Sequence, residues 1–131
     1  MSPRSAASRF LRLHSPRQRV GAAAEDIAMA LLTARGLRCV ARNWRCRTGE
    51  LDLVMRDHGT LVFVEVRKRG SARYGGASAS IDARKQARII RTARAFLAEH
   101  GECSHLPARF DAVLFEGTGQ PRWLKAAFTC A

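Results

Sequence analysis

The chain has 131 residues, 47% of them hydrophobic, with 23 Lys and Arg against 11 Asp and Glu for a net charge of +12. That length supports one domain with a single core, and the hydrophobic content excludes a disordered chain. No apolar run approaches the roughly 18 residues that cross a bilayer.

The charge points to a polyanionic partner, and it says nothing about chemistry. Of the basic residues, 20 are Arg and 3 are Lys. Guanidinium pairs with phosphate bidentately, although a GC-rich genome also produces this bias.

Residues 1–19 hold Arg4, Arg9, Arg12, Arg17 and Arg19 with no acid, and predict a flexible basic arm that either touches nucleic acid or is simply solvated. A single domain over 20–131 follows. Val20, Ala24, Ile27, Ala28 and Leu31 recur at helical spacing, so a first helix is expected over about 20–35, stopped by Gly36. On that helix Glu25 sits at the border of the apolar stripe and Asp26 points away from it. Three strands are expected at Leu37–Asn43, Glu50–Arg56 and Leu61–Lys68. The last is apolar on both faces, as in a central strand. Residues 69–80 read as a loop. A second helix runs from Ile81 to His100 and ends before Gly101. Strands at Arg109–Phe115 and Arg122–Phe128 close the chain. The order α-β-β-β-α-β-β predicts an α/β (α+β) fold, a mixed central sheet flanked by helices.

Cys39, Cys46, Cys103 and Cys130 contain no CxxC pair, which argues against a zinc ribbon. A metal shared by Cys103 and His105 lacks an obvious source for its other ligands. The N-terminus has no apolar stretch longer than Phe10-Leu11, too short for a secretory signal. Reduced, buried thiols in a cytoplasmic protein are therefore expected.

The hairpin between the second and third strands carries the sharpest signal. If His58-Gly59 is a two-residue loop, Asp57 faces Thr60, Val54 faces Phe63, Asp52 faces Glu65 and Glu50 faces Arg67. Opposed carboxylates repel, and Glu65 lies inside Val-Phe-Val-Glu-Val, where an unpaired charge is costly. Folding alone does not favour this pair. A divalent cation resolves it, since two carboxylates suit Mg²⁺ or Mn²⁺. The structural alternative is a buried ion pair of Glu65 with Arg45, Arg47 or Arg67. A three-residue loop would put the two acids on opposite faces.

Gly49-Glu50-Leu51-Asp52-Leu53-Val54, followed by Leu61-Val62-Phe63-Val64-Glu65-Val66-Arg67, resembles the D…ExK metal site of the restriction-endonuclease-like fold. With Gly21-x-x-Ala24-Glu25, Asn43-x-Arg45, Tyr74-Gly75-Gly76-Ala77, Lys85, Arg109-Phe110-Asp111 and Trp123-x-Lys125-x-Ala127-Phe128, the chain over residues 20–128 resembles the YraN family of uncharacterised bacterial proteins. That resemblance implies a fold similar to Holliday junction resolvases. It also implies a site of Glu25, Asp52, Glu65 and Arg67, with Asp52 and Glu65 as metal ligands and Glu25 joining directly or through water. Glu50 stands beside the site. DNA ahead of RNA, and a homodimer, are further expectations from the same source.

The motif lysine is Arg67 here, and an arginine cannot serve as a general base. Either Arg67 acts electrostatically, or Lys85 reaches in from the second helix, or the protein binds nucleic acid without cutting it. Lys68 points to the opposite face by strand parity. From Arg67 to Arg94 nine basic residues meet one acid, Asp82. Arg69, Arg73, Arg84, Lys85, Arg88 and Arg91 are the candidate phosphate contacts. No aromatic-rich strand offers a base-stacking platform, so shape or backbone recognition is expected. Asp111 is expected to hold a structural arginine. Two functional classes stand beside the nuclease-like one: a catalytically degenerate nucleic-acid-binding module of the same fold, and an adaptor for a protein partner.

Overall fold

The structure, a computed structural model, describes residues 16–69, 81–117 and 119–129. Helix α1 spans Pro16–Ala34, followed by strands β1 (Arg38–Cys46), β2 (Gly49–Asp57) and β3 (Thr60–Arg69). Helix α2 spans Ala83–Glu99, a 3₁₀ turn covers Gly101–Cys103, and β4 (Ala108–Glu116) and β5 (Arg122–Phe128) finish the chain. This is the expected element order. No helix among the described residues is long and apolar enough to cross a membrane.

Helix α1 begins at Pro16, so residues 16–19, expected in the arm, are helical. Proline suits a first helical position, where its fixed φ matches the helix and its missing N–H breaks no bond. Residues 1–15 lie outside the described residues. The helix stops at Gly36, whose φ of 94° suits glycine, while the Leu37 N–H donates to the Leu32 carbonyl at 3.1 Å. Strand β1 runs past its expected end at Asn43 to Cys46. There the cross-strand pairs Trp44↔Leu51, Arg45↔Glu50 and Cys46↔Gly49 continue it, and Arg45 Nε meets Glu50 Oε2 at 2.8 Å.

The five strands lie in the order β1-β2-β3-β4-β5. β1, β2 and β3 form an antiparallel meander, β3 and β4 run parallel across the α2 crossover, and β5 returns antiparallel to β4. β3 is central and buried on both faces, as its apolar run predicts. Val62 and Val64 pack with Ala28 and Leu32 of α1, while Leu61 and Phe63 pack with Ile89, Ala93 and Phe96 of α2. The α2 layer also stacks rings. Phe96 lies 3.9 Å from His100 by centroid and meets Trp44 in a T-shaped arrangement at 5.3 Å.

α2 starts two residues later than expected because Asp82 caps it, its Oδ1 accepting the Lys85 N–H at 2.9 Å. Ile89, Ala93 and Phe96 then turn toward the sheet.

Asp111 is fully buried and is satisfied from three directions. It accepts from Arg109 Nε at 2.9 Å, Trp123 Nε1 at 3.0 Å and the Ala126 N–H at 2.9 Å. Arg109 also reaches Asp57 Oδ2 at 3.0 Å. The carboxylate thus locks the irregular β4–β5 ladder, in which Ala126 has φ of 51°, to the end of β2. This is the structural arginine contact expected for Asp111. The thiols differ from expectation: Cys39, Cys46 and Cys103 are free, but only Cys103 is buried. Cys39 lies on β1, an edge strand, where one side meets solvent.

Candidate functional site

The β2–β3 hairpin has the expected two-residue loop and register. Its ladder runs from Asp57↔Thr60 through Val54↔Phe63 to Leu53↔Val64. The ladder ends there, so the expected Asp52↔Glu65 and Glu50↔Arg67 pairs do not form, and Asp52 Oδ2 instead accepts the Val66 N–H at 2.8 Å.

The strand also loses its pleat alternation there. Leu51 and Leu53 are two residues apart, yet Leu51 packs in the α2 core and Leu53 in the α1 core. On β1, Arg42↔Leu53 and Trp44↔Leu51 flank Asn43, which has φ of 56°. A two-strand irregularity therefore sits at Asn43 and Asp52, the kind of device that re-aims a side chain beside a site.

Asp52 and Glu65 line one cavity of about 320 Å³. β2 contributes Glu50 and Asp52, β3 contributes Glu65 and Arg67, and α2 contributes Lys85, Arg88 and Thr92. Glu65 is 7% exposed and faces two cations: Lys85 Nζ lies 3.2 Å and Arg67 Nη1 3.6 Å from its Oε2. Burial raises the Asp52 carboxyl well above the ordinary carboxylate range. The charges of Glu65 and Glu25 push the same way, against the Val66 N–H. The site therefore holds one carboxyl that its surroundings disfavour ionising, beside a second that meets an ammonium and a guanidinium.

Glu25 is treated differently. The helix geometry holds, since its side chain is 13% exposed against 67% for Asp26. Its carboxylate lies 3.6 Å from Arg42 Nε, and Arg42 Nη2 binds Asp26 at 2.6 Å. Burial raises the Glu25 pKa, Arg42 opposes the shift, and Glu50 adds to it. Glu25 is thus in electrostatic reach of Asp52 and Glu50 without lining the cavity. Among the described residues no three Asp, Glu, His or Cys side chains group to hold an ion, so the direct coordination implied for Glu25 is not assembled. α1 covers the opposite face of the sheet from α2, and Arg42 engages Glu25 on that side.

Of the remaining candidates, Glu50 lines the cavity and pairs with Arg45, Arg88 lines it from α2, and Arg84 and Arg91 are exposed on α2. The Arg69 side chain, Arg73 and the Gly75-Gly76 loop lie outside the described residues. Asp52 and Glu65 are the side chains that could hold a hard cation together. The cavity's lining of carboxyls, ammonium and guanidinium suits a phosphate more than an apolar ligand.

Sequence reasoning missed the packing that shapes the cavity floor. Gly49 has φ of 150°, and a Cβ there would sit 3.1 Å from Thr92 Oγ1. Thr92 is fully buried, donates to the Arg88 carbonyl at 2.9 Å and lies 3.1 Å from Thr48 Oγ1. The available signal was a lone threonine on the apolar stripe of α2.

The sequence also matches known proteins. A family profile described as "Uncharacterised protein family UPF0102" aligns with residues 24–115. The chain belongs to the UPF0102 family. The UPF0102 protein of Pseudomonas entomophila (strain L48) is 54% identical over 114 residues, covering 84% of this chain and 93% of its own. The UPF0102 protein of Pseudomonas putida (strain KT2440) is 51% identical over 116 residues, covering 86% and 94%. That of Bordetella petrii is 52% identical over 119 residues, covering 88% and 73%. The UPF0102 match confirms the family resemblance carried by the sequence motifs and spans the whole β2–β3 hairpin.

Proposed function

We propose that this UPF0102 protein is a nuclease-like protein that takes a phosphodiester at the Asp52–Glu65 cavity with the help of Mg²⁺ or Mn²⁺. The single observation behind this reading is the half-buried Asp52 and buried Glu65 meeting on one cavity, with Lys85 3.2 Å from Glu65. A fold that needed only stability would not bring a buried carboxyl and a half-buried one together on one cavity. The donor set fits a hard divalent cation, and Asp52 and Glu65 would hold it. When bound, the cation supplies water activation and neutralises charge on the phosphate. Asp52 would hold it as a carboxylate, with its Oδ2 steadied by the Val66 N–H. Glu25 acts from a distance, as a second negative charge that Arg42 keeps in place.

The cationic side of the site falls to two residues. Arg67 stabilises charge on a phosphate oxygen but takes no proton. Lys85 is the amine in the cavity, and it stands in for the lysine absent at position 67. DNA is the first substrate to test, because the resemblance is to junction-resolving enzymes. The test is cleavage of branched, single-stranded and duplex DNA with Mn²⁺ by the wild type, Asp52→Ala and Glu65→Ala. Cleavage lost in both variants is the expected result, and equal cleavage in all three would reject the assignment.

A second reading is a binding module of the same fold that does not cut. Arg67 in the lysine position and the prior pairing of Glu65 with two cations favour it. Calorimetry with Mn²⁺ separates the two, since such a module binds nucleic acid and takes up no metal.

A further inference from the structure

Most of the partly buried arginines in this protein have been neutralised internally. Arg42, Arg67 and Arg109 each meet a carboxylate within 3.6 Å. Helix α2 behaves otherwise. Arg84, Arg88, Arg91 and Arg94 are all exposed, and none lies within ion-pair distance of an acid among the described residues. The segments outside the described residues contain no Asp or Glu side chain that could supply a partner. On α2 itself the one acid is Glu99, in the last turn, and Asp82 ahead of it is engaged as the cap.

Three of the four charges are also ordered. At about 100° per residue, Arg84, Arg88 and Arg91 fall within an arc of about 60°, with Arg94 about 60° past its edge. Lys85 and Thr92 follow on the next strip of the helix, and both line the cavity. Arg88 belongs to both groups, since it sits in the row and lines the cavity. Arg84 to Arg91 spans about 10 Å of helix axis. Over about that length one strand of a duplex carries three phosphates.

We propose that Arg84, Arg88 and Arg91 form a track that holds one strand of a nucleic acid by its backbone along α2 and brings one phosphate to the cavity. The exposed face of α2 offers alanines between the arginines and no aromatic side chain, so the contacts read phosphates and stack no bases. The same composition disfavours a lipid surface, which an interfacial helix enters with large apolar residues. The track rests on the nuclease-like reading for the phosphate it delivers, but its binding energy is electrostatic and needs no metal.

The experiment is fluorescence anisotropy of a labelled single-stranded oligonucleotide in EDTA, titrated over a range of NaCl concentrations. Wild-type protein, the single variants Arg84→Gln, Arg88→Gln and Arg91→Gln, and the triple variant are compared. Arg122→Gln, an exposed arginine paired with Glu116 at 3.4 Å, is the control. Each track arginine removed should lower the slope of log K against log [salt] by about 0.7. The triple variant should lose most of the affinity, and the control should match the wild type. Wild-type slopes retained by the triple variant would overturn the track, as would no binding by the wild type, or binding to phosphatidylglycerol vesicles in preference to the oligonucleotide. Failure of the nuclease-like reading is a separate result: expected slopes in EDTA, with no cleavage when Mn²⁺ is added.

Discussion

Lys85 Nζ lies 3.2 Å from Glu65 Oε2, joining the first turns of α2 to the central strand of the sheet. Asp82 caps that helix through the Lys85 N–H, so the backbone of Lys85 is held at the helix start while its ammonium reaches Glu65. The two carboxyls of the cavity thus come from neighbouring strands, and the cation beside them comes from the crossover between β3 and β4. The site depends on the fold as a whole, since no local segment supplies all of its charges.

If Lys85 stands in for the motif lysine, it outweighs Arg67 in cleavage. Lys85→Met is expected to reduce the rate by roughly 100-fold or more, the usual effect of removing a charge-stabilising donor. Arg67→Lys should retain activity. Rates under saturating Mn²⁺ decide this. A harmless Lys85→Met beside a dead Arg67→Met would return the role to position 67.

Asp52 makes a stability prediction with a definite sign. Its pKa is raised in the folded state, so the native protein binds this proton more tightly than the unfolded chain. The stability it contributes is fully present below the ordinary carboxylate pKa and is lost as pH rises through the raised folded value. Asp52→Asn removes that loss, and the amide oxygen can still accept the Val66 N–H. The variant should therefore melt higher than the wild type at pH 8 and converge with it in mild acid. In a chain of this size each kcal/mol recovered raises Tm by roughly 3–5 °C. A lower Tm for the variant at pH 8 would oppose the stated cause of the shift.

The Asp111 lock is expected to dominate the stability of the β4–β5 end. Asp111→Ala leaves Arg109 short of a partner and the Trp123 and Ala126 N–H groups unpaired. The expected cost is about 3–5 kcal/mol. Asp111→Asn should cost less, because one oxygen survives. Urea unfolding of the three proteins tests the ranking.

Gly49 predicts a coupled pair. Gly49→Ala places a methyl against Thr92 Oγ1 and forces a side chain into a φ of 150°. Thr92→Ala removes the contact but leaves the backbone conflict. The double variant should therefore recover part of the roughly 1–3 kcal/mol lost by Gly49→Ala. Strict additivity in a double-mutant cycle would mean that the backbone conformation alone is at fault.

Much of this was legible in the chain, and the reasons differ by residue. The His58-Gly59 turn set the hairpin register as far as Leu53↔Val64, and Asp52 and Glu65 just beyond it share one cavity without pairing across the strands. Val62 through Glu65 announced a strand covered on both sides. Other features depend on contacts distant in sequence. The pleat break at Asn43 and Asp52 needs two strands to coincide, and neither residue signals it alone. Glu25 was correctly turned inward, but its capture by Arg42 follows from where β1 runs, which helical spacing does not encode. The early start of α1 at Pro16 was hidden by an arginine-rich stretch whose charge reads equally well as a solvated arm.

The sharpest measurement is a crystal structure of the protein soaked in Mn²⁺, with anomalous data collected for wild type, Asp52→Ala and Glu65→Ala. A single Mn²⁺ peak between the Asp52 and Glu65 carboxylates, absent from both variants, is the expected result. No peak at that position, or one that persists when either carboxylate is removed, would contradict a cation shared by these two residues.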